Sequence, residues 1–355
     1  MQKQYSQMFS IIDKLEKERF LSDDEFKLLI ENTNKTVDEY LYEKADNIRR
    51  KVYSNKVYIR GLIEISNFCK NDCYYCGIRC SNKKADRYRL NKDDILQCAN
   101  QGYQLGFRTF VLQGGEDAYY TDDVLCDIIK TLKEKYPDCA VTLSLGERQK
   151  DSYQKLFNAG ADRYLLRHET ADSEHYSKLH PEKLSLKNRM ECLYNLKQIG
   201  FQTGCGFMVG SPYQTTKQII EDLKFIKEFE PQMCGIGPFI PHKDTPFKDF
   251  KQGSLDLTLR LLSIVRLMLP NVLLPATTAL GTIDKSGREK GIKAGANVVM
   301  PNLSPISVRK KYMLYDNKIS TGDEAAESKA NLEKSMKNIG YEIEISRGDF
   351  LSKEI

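Results

Sequence analysis

From about residue 57 one pattern repeats down the chain: a short β-rich run, a polar turn, then an amphipathic helical segment. The runs are VYIRGLIEIS, RTFVLQ, AVTLSL, DRYLLRH, QTGCGFMV, QMCGIGP, NVLLPAT and ANVVMP. Between them lie stretches such as NKDDILQCANQGYQLG and TTKQIIEDLKFIKEF, with apolar residues at helical spacing. Gly106, Gly160, Gly200 and Gly295 end helices just before the next run. Eight strands alternating with helices build either a closed barrel or an open doubly wound sheet. A dinucleotide-binding sheet has a glycine-rich turn after its first strand, and here that turn holds cysteines instead. The expected fold is therefore α/β: a (β/α)8 TIM barrel, complete or nearly so. Residues 1–50 read as an N-terminal helical extension, 51–320 as the barrel, and 321–355 as a C-terminal helical tail packed on it.

Composition narrows the setting. The net charge of +5 is spread along the 355 residues rather than gathered in a block, which argues against nucleic acid or a membrane surface as partner. The most apolar run, SIVRLML, is short and carries Arg266. The N-terminus MQKQYSQMFSIIDKLEKERF lacks a signal peptide's apolar core, so the expected location is cytoplasmic. Ten cysteines then point to metal ligation or buried thiols rather than disulfides. Seven are scattered (Cys80, Cys98, Cys126, Cys139, Cys192, Cys205, Cys234), and small buried hydrophobes are their default reading.

Barrel enzymes build their sites at the C-terminal ends of the strands. Here those ends read Ser66, QGGED, TLSLGE, RHET, PATT and MPN. Side chains alternate along a strand, so Arg163, Leu165, Arg167 and Glu169 share one side of the fourth run. Charge is costly against the outer helices, which turns that set toward the lumen. By the same parity Thr142 and Ser144 share a face, as do Thr109, Val111 and Gln113. His168 falls on the outward parity and reads as structural. His242, in IPHKDTP, receives no role.

FCKNDCYYCG, directly after the first strand, sets Cys69, Cys73 and Cys76 at Cys-x3-Cys-x2-Cys. Three thiolates are one short of a structural zinc site. Cys80 as fourth ligand would make a loosely ferredoxin-like run. Three readings compete: a closed zinc knot, a closed electron-transfer cluster, or a 4Fe–4S cluster with one open iron. A zinc knot has no reason to stand on the catalytic face of a barrel, whereas an open iron there meets substrate.

The cysteine motif with its aromatic Tyr75, followed by GGE at the end of the second strand, resembles the radical SAM enzymes. The resemblance implies one 4Fe–4S cluster on Cys69, Cys73 and Cys76. Its open iron chelates S-adenosylmethionine, which is cleaved reductively to methionine and a 5′-deoxyadenosyl radical. RYLLRHETAD, TLSLGE, MVGSP, GIGPFIPHKDTP, LPATTALGT and GANVVMPNLSP are similar to the branch of this family that matures FeFe hydrogenase. In that branch Tyr75 would lie against the adenine, and Gly114, Gly115 and Glu116 would meet the methionine amino group. Ser144, Glu169 and Arg189 would bind the SAM carboxylate or ribose. Gln113, Thr142, Arg163, Arg167, Thr277, Thr278, Met300 and Tyr312 would line the substrate pocket. Thr277 and Thr278 also read as helix caps, and Met300 as core filler. No cysteine follows Cys234, so a single cluster is expected. The implied partners are a small anionic cysteine-derived substrate, other hydrogenase maturation proteins, and a ferredoxin or flavodoxin as electron donor, with the chain a monomer. Methylornithine synthase, biotin synthase and a non-catalytic iron–sulfur carrier are the alternatives.

Overall fold

A computed structural model describes residues 2–32, 34–319 and 325–352. Three helices, Gln2–Glu18, Asp23–Glu31 and Lys35–Tyr53, lead into the first barrel strand. That strand has two parts, Lys56–Ile59 and Gly61–Ser66. Its upper part pairs in parallel with Thr109–Gly114, followed in order by Ala140–Ser144, Arg163–Leu165, Gln202–Cys205 and Met233–Cys234. Parallel bridges Met233 to Leu273 and Pro275 to Val298 carry the ring onward. The pairs Tyr58–Val298 and Ile59–Val299 then return it to the first strand. All eight expected strands are present in chain order, and the barrel closes.

Local chemistry explains the outer helices. Asn91 and Asp94 form a capping box for Lys92–Gln104, and Thr121, Ser185 and Ser254 accept first-turn N–H groups at later helix starts. Gly106, Gly160, Gly200 and Gly295 all have φ between 89 and 108°, the left-handed stop that the sequence pattern called for. The apolar run around Arg266 forms the C-terminal end of the buried helix Leu255–Met268. Arg266 donates to Gly295 O at 2.8 Å and Asn297 Oδ1 at 3.0 Å, which satisfies its charge inside the protein. Among the described residues no helix is long and apolar enough to cross a membrane.

The tail holds the helix Ala325–Asn338 and then adds a strand, Glu342–Glu344, in parallel beside Lys56–Ile59. The chain then crosses beneath the barrel. Arg347 pairs with Asp162 at 2.8 Å, and Asp349 pairs with Arg163 at 2.6 Å. The boundary expected at residues 320–321 lies outside the described residues.

Candidate active site

A cavity of ≈ 340 Å³ opens at the C-terminal ends of the strands. It is lined by Cys69, Cys73, Tyr75 and Cys76 on one wall and by Thr277, Thr278, Met300 and Tyr312 on another. Gln113, Gly114, Gly115, Glu116, Ser144, Arg167, Glu169 and Arg189 line it as well. A separate depression of ≈ 660 Å³, lined by residues such as Gln232 and Phe350, holds no cysteine.

Two expected residues lie elsewhere. Arg163 has the right parity but the wrong level: at about 3.3 Å per residue it sits roughly 13 Å below Arg167. There it donates to Thr109 Oγ1, Arg347 O and Asp349 Oδ1. Thr142 is likewise one pleat below Ser144, and its buried hydroxyl has no hydrogen-bond partner. Both are corrected from pocket lining to lower-barrel positions.

The cysteine loop is held by its surroundings. Asp117 accepts from Ser66 Oγ at 2.7 Å and takes Arg89 in a two-point grip at 2.7 and 2.9 Å. Arg87 donates to the carbonyls of Asn67, Ile78, Arg79 and Asn82, bracketing the loop. Gly115 donates its N–H to Ser66 O at 3.1 Å. A Cβ on Gly115 would lie 2.1 Å from Phe68 O, so the two loops meet only because that side chain is missing. Glu116 then ties three segments: its carbonyl accepts from Lys70 N, Oε1 from Glu147 N at 3.0 Å, and Oε2 pairs with Lys70 Nζ at 3.2 Å. His242 packs on Gly77, where a Cβ would come within 2.4 Å of its ring.

Glu169 has φ 68°, unusual for a non-glycine residue. This turn follows the fourth strand and aims the carboxylate into the cavity, where Oε2 stands 3.1 Å from Arg167 Nη2. Arg189 Nε stands 2.8 Å from Glu147 Oε1. Arg167 Nε and Nη2, Glu169 Oε2, Arg189 Nε and Glu147 Oε1 are buried without a hydrogen-bond partner of good geometry. Arg167, Glu169 and Arg189 thus bring charges of both signs to the cavity wall in ion pairs that leave hydrogen-bonding capacity unused, which suits a zwitterionic ligand.

The donor set also fits the cluster. Burial pushes the Cys69 thiol up, pushes Cys76 up to about 12 and lifts Cys73 well above its ordinary value. For Cys73 and Cys76 a neighbouring cysteine adds to the rise, so the thiolates need a shared cation. Among the described residues no three His, Cys, Asp or Glu side chains converge to hold a single metal ion. Cysteines that each take a different iron of one cluster have no need to converge. Cys80 is absent from the cavity wall.

Sequence reasoning missed several members of the site. Tyr75 donates its hydroxyl to His180 Nε2 at 3.2 Å. The direction is set because His180 Nδ1 donates to Tyr176 O at 3.0 Å. His180 stacks on Tyr176 at 4.0 Å, so the Tyr75 ring is braced from behind. Glu64 and Lys318 form an ion pair in the cavity wall, with Asn302 Nδ2 donating to Glu64 at 2.9 Å and Lys318 donating to Tyr312 O at 3.0 Å. The alternation in GLIEIS put Glu64 on the face of Leu62 and Ser66, a signal that was there to be used. Lys318 gave none. Thr277 caps Thr278–Ile283, so it serves the helix as well as the cavity. Met300 also packs beside the cluster of Val52, Tyr53 and Met233. His168 is fully buried against Asp222, as its outward parity implied.

A barrel with three cysteines on its first strand–helix loop, facing GGE and an inward carboxylate, defines a class. The sequence pattern of the Radical SAM superfamily matches residues 63–226, and the chain belongs to that superfamily. It uses a 4Fe–4S cluster and S-adenosylmethionine accordingly. Within the superfamily the chain is 47% identical to the FeFe hydrogenase maturase subunit HydE of Thermotoga maritima, over 87% of this chain and 88% of that protein. It is 30% identical to a 3-methylornithine synthase of Methanosarcina acetivorans, over 85% of each. The fold is similar to the crystal structure of methylornithine synthase, with TM-score 0.83 and 26% identity, covering 94% of this chain and 97% of that one.

Proposed function

We propose that the chain is a SAM-cleaving maturase that works with other hydrogenase maturation proteins in assembling the FeFe hydrogenase active-site cluster. Its substrate on this reading is a small, anionic, cysteine-derived molecule, free or iron-bound. The observation that supports it most is one continuous cavity whose walls carry the cysteine loop on one side and Arg167, Thr277 and Thr278 on another. The 47% identity to HydE across both chains gives the reading its biological setting.

The residues divide the work. Cys69, Cys73 and Cys76 hold the cluster, leaving one iron open. Bound there, the cluster and S-adenosylmethionine supply a 5′-deoxyadenosyl radical. The Tyr75 ring, braced by His180, gives the adenine a wall. Glu116, Ser144, Glu169 and Arg189 orient the amino, carboxylate and ribose groups. Burial works against the Arg189 charge, but Tyr176, Glu147 and Glu116 more than offset it, so it stays cationic for a carboxylate. Across the cavity the Arg167 guanidinium and the hydroxyls of Thr277 and Thr278 suit a substrate carboxylate, with Gln113 and Tyr312 joined beside them at 3.3 Å. Leu62, Leu165, Ile240 and Met300 supply apolar wall that keeps water from the radical. Residues 51–320 form the catalytic unit on this reading, the chain acts as a cytoplasmic monomer, and a ferredoxin or flavodoxin supplies electrons.

Anaerobic reconstitution should load about four irons per chain and yield 5′-deoxyadenosine with SAM and reductant. Deletion of the gene should abolish hydrogenase activity. Undiminished hydrogenase in the deletion strain overturns the maturase role, while the iron and 5′-deoxyadenosine assays judge the superfamily chemistry separately.

A further inference from the structure

The cysteine loop is joined to the surface by a chain of aromatic rings. Tyr74, between Cys73 and Tyr75, meets Phe247 edge-on at 6.1 Å. Phe247 meets Phe250 at 5.2 Å and Tyr213 at 6.2 Å, and Tyr213 meets Phe250 at 5.4 Å. Phe247 is buried and Tyr74 half-buried, but Tyr213 is 54% exposed and Phe250 36% exposed. Tyr213 is held in this position with φ 67°, a backbone conformation that a bulky side chain rarely adopts. Two large rings thus stand in water at the end of an apolar wedge whose other end touches the proposed cluster ligands. Neither ring lines the cavity.

The rim of this patch carries an excess of lysine over carboxylate, with Asp249 exposed between Lys248 and Lys251 and Glu174 paired with Lys178 at 2.7 Å. Lys70, Lys83, Lys183, Lys248 and Lys251 are exposed, and Lys178 lies 5.8 Å over the Tyr213 ring. Lys183 reaches back to Lys70 O at 3.2 Å, bringing the segment after His180 against the cysteine loop. Among the described residues no carboxylate lies within ion-pair distance of Lys83, Lys183, Lys248 or Lys251. A second copy of this chain would bring the same basic rim and be repelled. An acidic surface would be attracted.

We propose that Tyr213 and Phe250, with the lysines around them, form the docking surface for a small acidic protein that carries single electrons. The proposal rests on reading Cys69, Cys73 and Cys76 as ligands of a reducible cluster. The redox step is one electron: the carrier's reduced cofactor loses it, the 4Fe–4S cluster gains it, and no bond is made or broken. A small aromatic centre with a charged rim suits such an encounter, since redox partners bind through small, short-lived interfaces. The patch lies outside the cavity wall, so the carrier can dock without entering the space given to substrate.

Flavodoxin serves as the probe. The reconstituted full chain is compared with Tyr213→Ala/Phe250→Ser and with Lys248→Glu/Lys251→Glu. Binding of oxidised flavodoxin is followed by fluorescence titration. Formation of 5′-deoxyadenosine is driven either by flavodoxin hydroquinone or by dithionite. Both variants should bind flavodoxin about tenfold more weakly and lose a similar factor in the flavodoxin-driven rate, with the dithionite-driven rate unchanged. The charge variant should also lose the salt dependence of binding. Unchanged flavodoxin binding overturns the proposal. So does an equal loss with both reductants, which marks the patch as support for the loop. Conversion of a dimer to a monomer in sedimentation, with flavodoxin binding intact, assigns the patch to a second copy instead. No 5′-deoxyadenosine from the unmutated chain with dithionite removes the cluster reading and the docking site with it.

Discussion

Asp349, three residues from the end of the described chain, donates no group to the cavity but accepts from Arg163 Nη2 at 2.6 Å beneath the barrel. Arg163 is fully buried and Asp349 only partly so, which places the pair between a buried and a surface ion pair. Burial raises the Asp349 pKa, but Arg347 and Arg163 more than reverse this and hold the carboxyl well below its usual range. Asp349→Ala should cost about 2 kcal/mol at neutral pH. The native carboxylate is the more acidic one, so its contribution is present above about pH 4 and disappears as pH falls below that. Urea titrations at pH 7 and pH 3 should show the gap between variant and parent closing in acid. SAM cleavage should be unaffected, since the pair lies a barrel's depth from the cavity.

The Glu64–Lys318 pair tests the cavity wall in another way. Lys318→Met strands a fully buried carboxylate and should cost about 3 kcal/mol. Glu64→Gln in the same chain should return most of this, because Asn302 and the Lys318 backbone segment keep their places. A thermal double-mutant cycle reads the coupling, and additive losses would refute it.

What could be read from the sequence was local. The helix stops at Gly106, Gly160, Gly200 and Gly295 depend on φ at one residue, and each is present. The cysteine spacing and GGE are short motifs on strand ends, and the cavity gathers both. Parity turned Arg163 and Thr142 inward, but parity carries no depth. Their level depends on where the barrel floor lies, and the floor is made by residues 342–352 folding back from far along the chain. His180 and Lys318 were missed for the same reason: each acts through a partner distant in sequence, Tyr75 and Glu64.

Cys80 separates an open cluster from a closed one. Its N–H is tied to Asn71 O at 2.9 Å, and its side chain is off the cavity wall. Cys80→Ser should keep about four irons per chain and full 5′-deoxyadenosine formation. Cys73→Ser should lose both. Iron loss in Cys80→Ser would make it a fourth ligand and close the site.

Acid should destabilise the fold through buried histidines. His168 Nδ1 accepts from Gly206 N at 3.2 Å, and burial lowers its pKa to about 3; burial lowers His180 to about 3 as well. The unfolded chain binds these protons near pH 6.5, so below that pH unfolding takes up protons that the native state refuses. Stability should therefore fall with acid by up to about 1.4 kcal/mol per pH unit for each histidine, while the buried Asp222 carboxyl beside His168, pushed up by burial, opposes part of that slope. His168→Gln should flatten the slope, and an unchanged slope would exclude His168 as a contributor.

Gly115→Ala gives the sharpest test of how the two loops make one site. The added methyl has no open rotamer to take. It would lie 2.1 Å from Phe68 O and 2.8 Å from Cys69 Cβ, both fixed by the backbone. Relief requires the GGE loop and the cysteine loop to part, which breaks the Gly115 N–H bond to Ser66 O and loosens the Glu116 link to Lys70. The barrel below need not move, because Thr109–Gly114 keeps its ladder to both neighbours. The expected result is a protein that folds and unfolds within about 1–2 kcal/mol of the parent but binds SAM at least tenfold more weakly. Calorimetric SAM titration of the iron-loaded protein measures it, with iron content as the control. Gly114→Ala, whose nearest clash is 3.3 Å, should fall between parent and Gly115→Ala. Equal affinity in all three proteins would mean that loop contact does not set the SAM site.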